Sequence, residues 1–172
     1  MTTQQLHLFN GLYLALLVMV AFFTRASARR IAGALAGGAA FGIVALAIIA
    51  LGQKFGWWQM AITWQPYFLT LFWLGCAISC APVYLITWRI ARRFGRRGLA
   101  VVVVIVALIG PPRDYWYMAR FPEWVAYGPG IAPALAISVT YALMVVVGHF
   151  VMRLVAGPAS GDRLASRPWK AG

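Results

Sequence analysis

The sequence predicts an all-α integral membrane protein: a bundle of five transmembrane helices, N-terminus outside and C-terminus cytoplasmic, with an interfacial or re-entrant segment between helices 4 and 5. Three observations carry this expectation. Of 172 residues, 63% are hydrophobic and only 10% charged, whereas a soluble domain has roughly 45–50% and about 25%. The polar surface needed to cover a water-soluble globule is therefore missing. Five apolar stretches approach the roughly 20 residues that a helix needs to cross a bilayer. Positive charge, finally, collects at alternate connections between them.

The stretches fall at residues 6–23, 31–51, 66–88, 98–116 and 131–155. Arg25, Arg29 and Arg30 follow the first. Arg89, Arg92, Arg93, Arg96 and Arg97 separate the third from the fourth, and Arg153, Arg163, Arg167 and Lys170 follow the fifth. Only Lys54, Arg113 and Arg120 fall on the other side. Basic residues are retained in the cytoplasm, so this bias orients the chain and gives the formal charge of +12 a topological meaning, with no nucleic-acid partner implied. The expected location is the cell membrane, multi-pass. Residues 1–156 read as one membrane domain, and 157–172 as a short basic cytoplasmic tail suited to anionic lipid. Ala26-Ser27-Ala28 resembles a signal-peptide cleavage site, but no Lys or Arg precedes the first apolar run and Arg25 directly adjoins it, so the run reads as a span.

Aromatic residues fit the same map. Trp57, Trp58, Trp64 and Tyr67 precede the third span and Trp88 closes it, which suggests anchors at the headgroup level. Small residues suggest how the spans pack. Ala34, Gly38 and Gly42 form one row on the second span, Gly33 and Gly37 another, and Gly75 with Ser79 repeats the pattern on the third. Such rows let helix backbones approach closely where lipid offers no hydrophobic drive. Cys76 and Cys80 lie one helical turn apart near mid-span and read as small packing residues. Pro82 follows them and frees a carbonyl near residue 78, which Ser79 can satisfy.

The chemically informative segment runs from Gly110 to Gly130. Pro111-Pro112 is expected to end the fourth helix short of a full crossing, with Asp114 capping a short helix over 115–121. Arg113 and Arg120, with His7 from the same side, are candidates to hold a lipid headgroup or other anion. Asp114 and Glu123 are the candidate catalytic acid and base. Asn10, Tyr13, Ser138, Thr140, Tyr141 and His149 are the polar residues available to line a transport path. His149 lies too far from His7 for the pair to bind one haem. No metal-ligand cluster, mid-span carboxylate or lysine, or phosphate-binding Gly loop occurs, and no cofactor is implied.

Three functional readings follow. The first is a non-catalytic subunit or accessory that packs against membrane lipids, another membrane protein or a second copy of itself. The second is an enzyme acting on a lipid or isoprenoid at the outer leaflet through residues 113–123. The third is a small oligomeric transporter.

Overall fold

Backbone N–H and C=O groups in hydrocarbon must bond within the protein, and a helix achieves this inside one segment. A computed structural model describes residues 2–157. It contains α1 (Thr3–Thr24), α2 (Ala28–Lys54), β1 (Trp58–Met60), α3 (Pro66–Arg120), β2 (Val125–Tyr127) and α4 (Ala132–Ala156). Four helices are long and apolar enough to cross a membrane, so the class is all-α and membrane-like. The tail residues Arg163, Arg167 and Lys170 lie outside the described residues.

Five separate helices are expected from sequence; among the described residues the third and fourth share one element, α3, interrupted by non-helical backbone at Gly95. The third and fourth apolar stretches are two arms of α3, because the basic connection between them stays helical on both sides of Gly95. At about 1.5 Å per residue, a straight helix of 55 residues would be about 82 Å long. Yet β1 and β2, which flank its two ends, pair antiparallel: Trp58 with Tyr127, Gln59 with Ala126, Met60 with Val125. The ends therefore meet, and α3 doubles back. The reversal is at Gly95, with φ 64° and ψ −146°, a backbone region open to glycine and costly for other residues. Just beyond the turn, a Cβ on Gly98 would lie 3.0 Å from Ile90 Cγ2, whereas eight residues of unbroken helix would separate them by about 12 Å. The arms 66–94 and 96–120 thus run antiparallel. One end of the bundle carries the strands; the other carries the arginines of the α1–α2 turn and of the Gly95 turn.

Local sequence sets the helix limits. Thr2 and Gln5 form a reciprocal capping box on α1, with Thr2 N–H donating to Gln5 Oε1 at 2.7 Å. The Ser27 hydroxyl caps α2 by accepting from Arg30 N–H, so the small-residue segment after the first span is an interhelical turn. Pro66 opens α3, where its missing donor costs nothing.

The second helix is the centre of the packing. Its Gly33 and Gly37 face α4, where a Cβ at 33 would fall 2.9 Å from Met152 O and one at 37 would overlap the Gly148 carbonyl. Gly38 and Gly42 face α3: a Cβ at 38 would overlap Ala77 backbone, and one at 42 would lie 2.8 Å from Trp73 Cδ1. Ala34, which heads the Gly38–Gly42 row, is fully buried. Trp73 seals this contact by donating its indole N–H to Ala39 O at 2.8 Å. Gly75 makes room for Asn10 of α1, whose amide donates to Leu71 O at 3.2 Å. At the arginine end α1 is held by Arg89, which donates to Thr24 O through Nε at 2.9 Å and through Nη2.

Several local expectations are corrected. Pro111-Pro112 does not break the chain; α3 continues to Arg120, and Asp114 lies inside it rather than at an N-cap. The prolines still deprive the Ala107 and Leu108 carbonyls of their helical donors. Gly110 has no Cβ to clash with the Pro111 ring and lies against the Tyr141 ring, where a Cβ would come 2.5 Å from Cδ2. No re-entrant or interfacial helix follows: residues 122–124 form a turn into β2. Trp58 and Trp88 are buried rather than at the bundle surface, and Trp58 donates its indole N–H to Ile49 O at 3.1 Å. The Ser79 hydroxyl bonds Cys76 O, not the carbonyl freed by Pro82.

Gly38→Leu is expected to destabilise the protein by several kcal/mol, since the backbone it meets has no room to give. Gly11→Leu, where nothing lies within 4 Å, is expected to be neutral or mildly stabilising through helix propensity. Thermal unfolding of both variants in detergent checks the contrast; equal effects would contradict the packing described.

Candidate functional site

The final turns of α3 bring a charged pair beneath the two-stranded sheet. Arg113 and Asp114 are adjacent in sequence, and Arg113 Nη1 meets Asp114 Oδ1 at 3.1 Å. They lie about two helical turns before the end of α3 at Arg120. A charge at such depth needs partners, and three other elements supply them. From α4, the Tyr141 hydroxyl donates to Asp114 Oδ1 at 2.6 Å and accepts a hydrogen bond from Arg113 Nη1. From β2, the Tyr127 hydroxyl donates to Asp114 Oδ2 at 3.4 Å. From α1, Tyr13 comes alongside Arg113 and Tyr117. The Arg113 guanidinium lies over the Tyr117 ring at 4.8 Å from its centroid, a favourable cation–π arrangement.

Both carboxylate oxygens are therefore engaged by the protein itself. The Asp114 side chain retains 20% of its exposure and that of Arg113 retains 44%, so the guanidinium is the more open half of the pair. Burial first, and then the neighbouring Asp114 charge, raise the Tyr127 hydroxyl above the ordinary phenol range. It stays protonated as a donor at neutral pH. Tyr127 is fixed in turn by its backbone N–H, which donates to Met118 Sδ at 3.3 Å, and by ring contacts with Tyr115 and Trp58 at 5.0 and 6.4 Å. The sheet thus locks one end of α3 to α4 through Asp114.

Only part of the expected site comes together. Arg120 stacks over Trp116 at 5.7 Å and does not bond Arg113 or Asp114 in this arrangement. Glu123 is exposed in the turn before β2, outside the hydrogen-bonded group. His7 is engaged elsewhere: Nδ1 donates to Thr3 O of its own helix at 2.7 Å, and Nε2 accepts from Tyr67 at the start of α3 at 3.4 Å. Asn10 binds α3 backbone, and the Thr140 hydroxyl donates to Ala136 O at 2.7 Å, so two of the polar residues considered for a transport path are committed to helix backbones. His149 is buried in the bundle, 2% exposed. Cys80 belongs to the apolar core beside Tyr84 and Leu85. Among the described residues, no cluster of three or more His, Cys, Asp or Glu is placed to hold a metal.

Tyr127 is the partner that sequence reasoning missed. Its signal was present in the two short β-prone runs, Trp58–Met60 and Val125–Tyr127, at opposite ends of α3; their pairing requires the fold-back to be recognised first. Comparison with known proteins gives no matching family model, curated protein or solved structure.

Removing the carboxylate leaves a partly buried guanidinium without its counter-charge. Asp114→Ala is expected to cost about 1–3 kcal/mol, less than a fully buried pair because Arg113 is partly solvated. Adding Arg113→Leu should recover a large share of that loss, and Glu123→Ala alone should stay within about 0.5 kcal/mol of the parent. A double-mutant cycle from unfolding in detergent measures the coupling; strict additivity would contradict it.

Proposed function

We propose that this chain is a five-span protein of the cell membrane, N-terminus outside, that acts as a non-catalytic subunit or accessory by association within the bilayer. The observation that carries this reading is the closure of Asp114 on its own fold. A catalytic acid or base needs a lone pair or proton directed at a substrate, whereas Asp114 Oδ1 and Oδ2 face Arg113, Tyr141 and Tyr127. The group works as a brace joining α3, α4 and β2. The two antiparallel arms of α3 supply the third and fourth crossings, and the arginine-bearing turns then share the cytoplasmic side.

The wide apolar surface fits the same role. Leu8, Leu12, Val18, Phe22 and Phe23 leave most of one side of α1 exposed, and such a surface is at home against lipid or another apolar helix. Its partners are membrane lipids and a second membrane helix, from another protein or from a second copy.

The test is complementation of a deletion strain by variants whose membrane abundance is measured in parallel. Asp114→Asn is expected to lose function only in proportion to lost protein, and Glu123→Gln to lose neither. Normal abundance of either variant with function abolished would replace this reading with the enzymatic one at residues 113–123.

A further inference from the structure

The arginine end of the bundle carries a feature that neither packing nor the charged brace uses. Helices commonly end on glycine, or less often asparagine, in the left-handed region, where most other residues are strained. Here α1 ends on Arg25 with φ 48° and ψ 46°, the one non-glycine residue at positive φ among the described residues. The turn is well made: Arg25 N–H reaches Phe22 O and Ala26 N–H reaches Ala21 O, each at 3.0 Å. An arginine thus stands where glycine would be less strained, and its side chain is exposed.

Its surroundings give that side chain a use. An open hollow of about 480 Å³ is lined by Ala21, Phe22, Phe23, Arg25 and Ala26. Phe22 and Phe23 are 77% and 75% exposed, so the hollow joins an apolar wall to a cationic rim. The guanidinium of Arg89 is tied to the carbonyl of Thr24, the residue before Arg25. Trp88 backs it, 5.5 Å from Arg89 Cζ, while Arg30 covers the same indole at 5.0 Å. Arg92 and Arg93 continue the exposed basic surface one turn on. The acids of the described residues, Asp114 and Glu123, both belong to the strand end.

From this geometry we infer that the α1–α2 turn binds the phosphate of an anionic phospholipid, held by Arg25 and Arg89 with an acyl chain along Phe22 and Phe23. The occupant is a membrane lipid and not free phosphate, because the apolar wall opens directly below the cationic rim. The inference is independent of the functional role proposed above, since it concerns a different end of the bundle.

The purified full chain in neutral detergent is titrated with phosphatidylglycerol, phosphatidylcholine or inorganic phosphate, reading the unfolding midpoint and the lipid retained in native mass spectra. Phosphatidylglycerol is expected to raise the midpoint and to be retained; the other two are not. Arg25→Gly keeps the turn and should leave the lipid-free midpoint unchanged or higher, while phosphatidylglycerol binding weakens about fivefold, as expected for one interfacial arginine. Arg25→Asn, which also tolerates the left-handed region, should show the same loss, and Arg25→Lys should retain most of the binding. Equal stabilisation by phosphatidylcholine, an equal effect of inorganic phosphate, or unchanged affinity in both Arg25→Gly and Arg25→Asn would each overturn the site.

Discussion

The reversal at Gly95 sets the arrangement of both ends of the bundle. One residue at φ 64° turns a helix too long for any bilayer into two arms of about 43 and 37 Å. Its consequences appear at the opposite end. Only because the arms run back together does β1 meet β2, and only because β2 is held there does Tyr127 reach Asp114. The turn also gathers Arg92, Arg93, Arg96 and Arg97 at the end that already holds the α1–α2 turn. Packing, brace and charge asymmetry thus share one geometric origin.

Within that frame, contact between helices is governed by what is absent from α2. Gly33 and Gly37 on one side, and Gly38 and Gly42 on the other, bring neighbouring backbones close enough that a methyl group would collide. In lipid, where apolar side chains gain little by leaving their solvent, dispersion at such short range and hydrogen bonds such as Trp73 to Ala39 O carry the association. α1 lacks such a row toward α2. It is attached to α3 by Asn10 near one end and received by Arg89 at the other, which leaves its other side open.

The helices were legible in the sequence because hydrophobic length is a direct physical requirement of a bilayer. The small-residue rows on α2 were legible for a related reason, since spacing on a helix fixes which residues share a face. Pro111-Pro112 misled, because a proline pair ordinarily ends a helix; here Gly110 removes the side chain that would clash, and the Tyr141 ring fills the space. Arg113 and Asp114 belong to one candidate site by sequence and Tyr141 to a transport path; the approach of Tyr141 to the pair depends on how α3 and α4 are juxtaposed, which spacing along one helix does not encode. Glu123 as a catalytic group and His7 as an anion ligand were placed at the same site by sequence, yet the first lies on an exposed turn and the second bonds Thr3 of its own helix and Tyr67 of α3. Trp58 was read as a surface anchor because its burial depends on Gly52, a missing side chain on another element.

On the proposed topology, α3 enters and leaves on the same side of the membrane. Single cysteines at Trp64→Cys, Phe94→Cys and Glu123→Cys, in a background carrying Cys76→Ala and Cys80→Ala, can be labelled in intact cells with a membrane-impermeant thiol reagent. Positions 64 and 123 are expected to react from outside, and position 94 only after the cells are permeabilised. Labelling of just one of 64 and 123 from outside would mean that the helix does not double back. Labelling of 94 alone would mean that the arginine end faces outward.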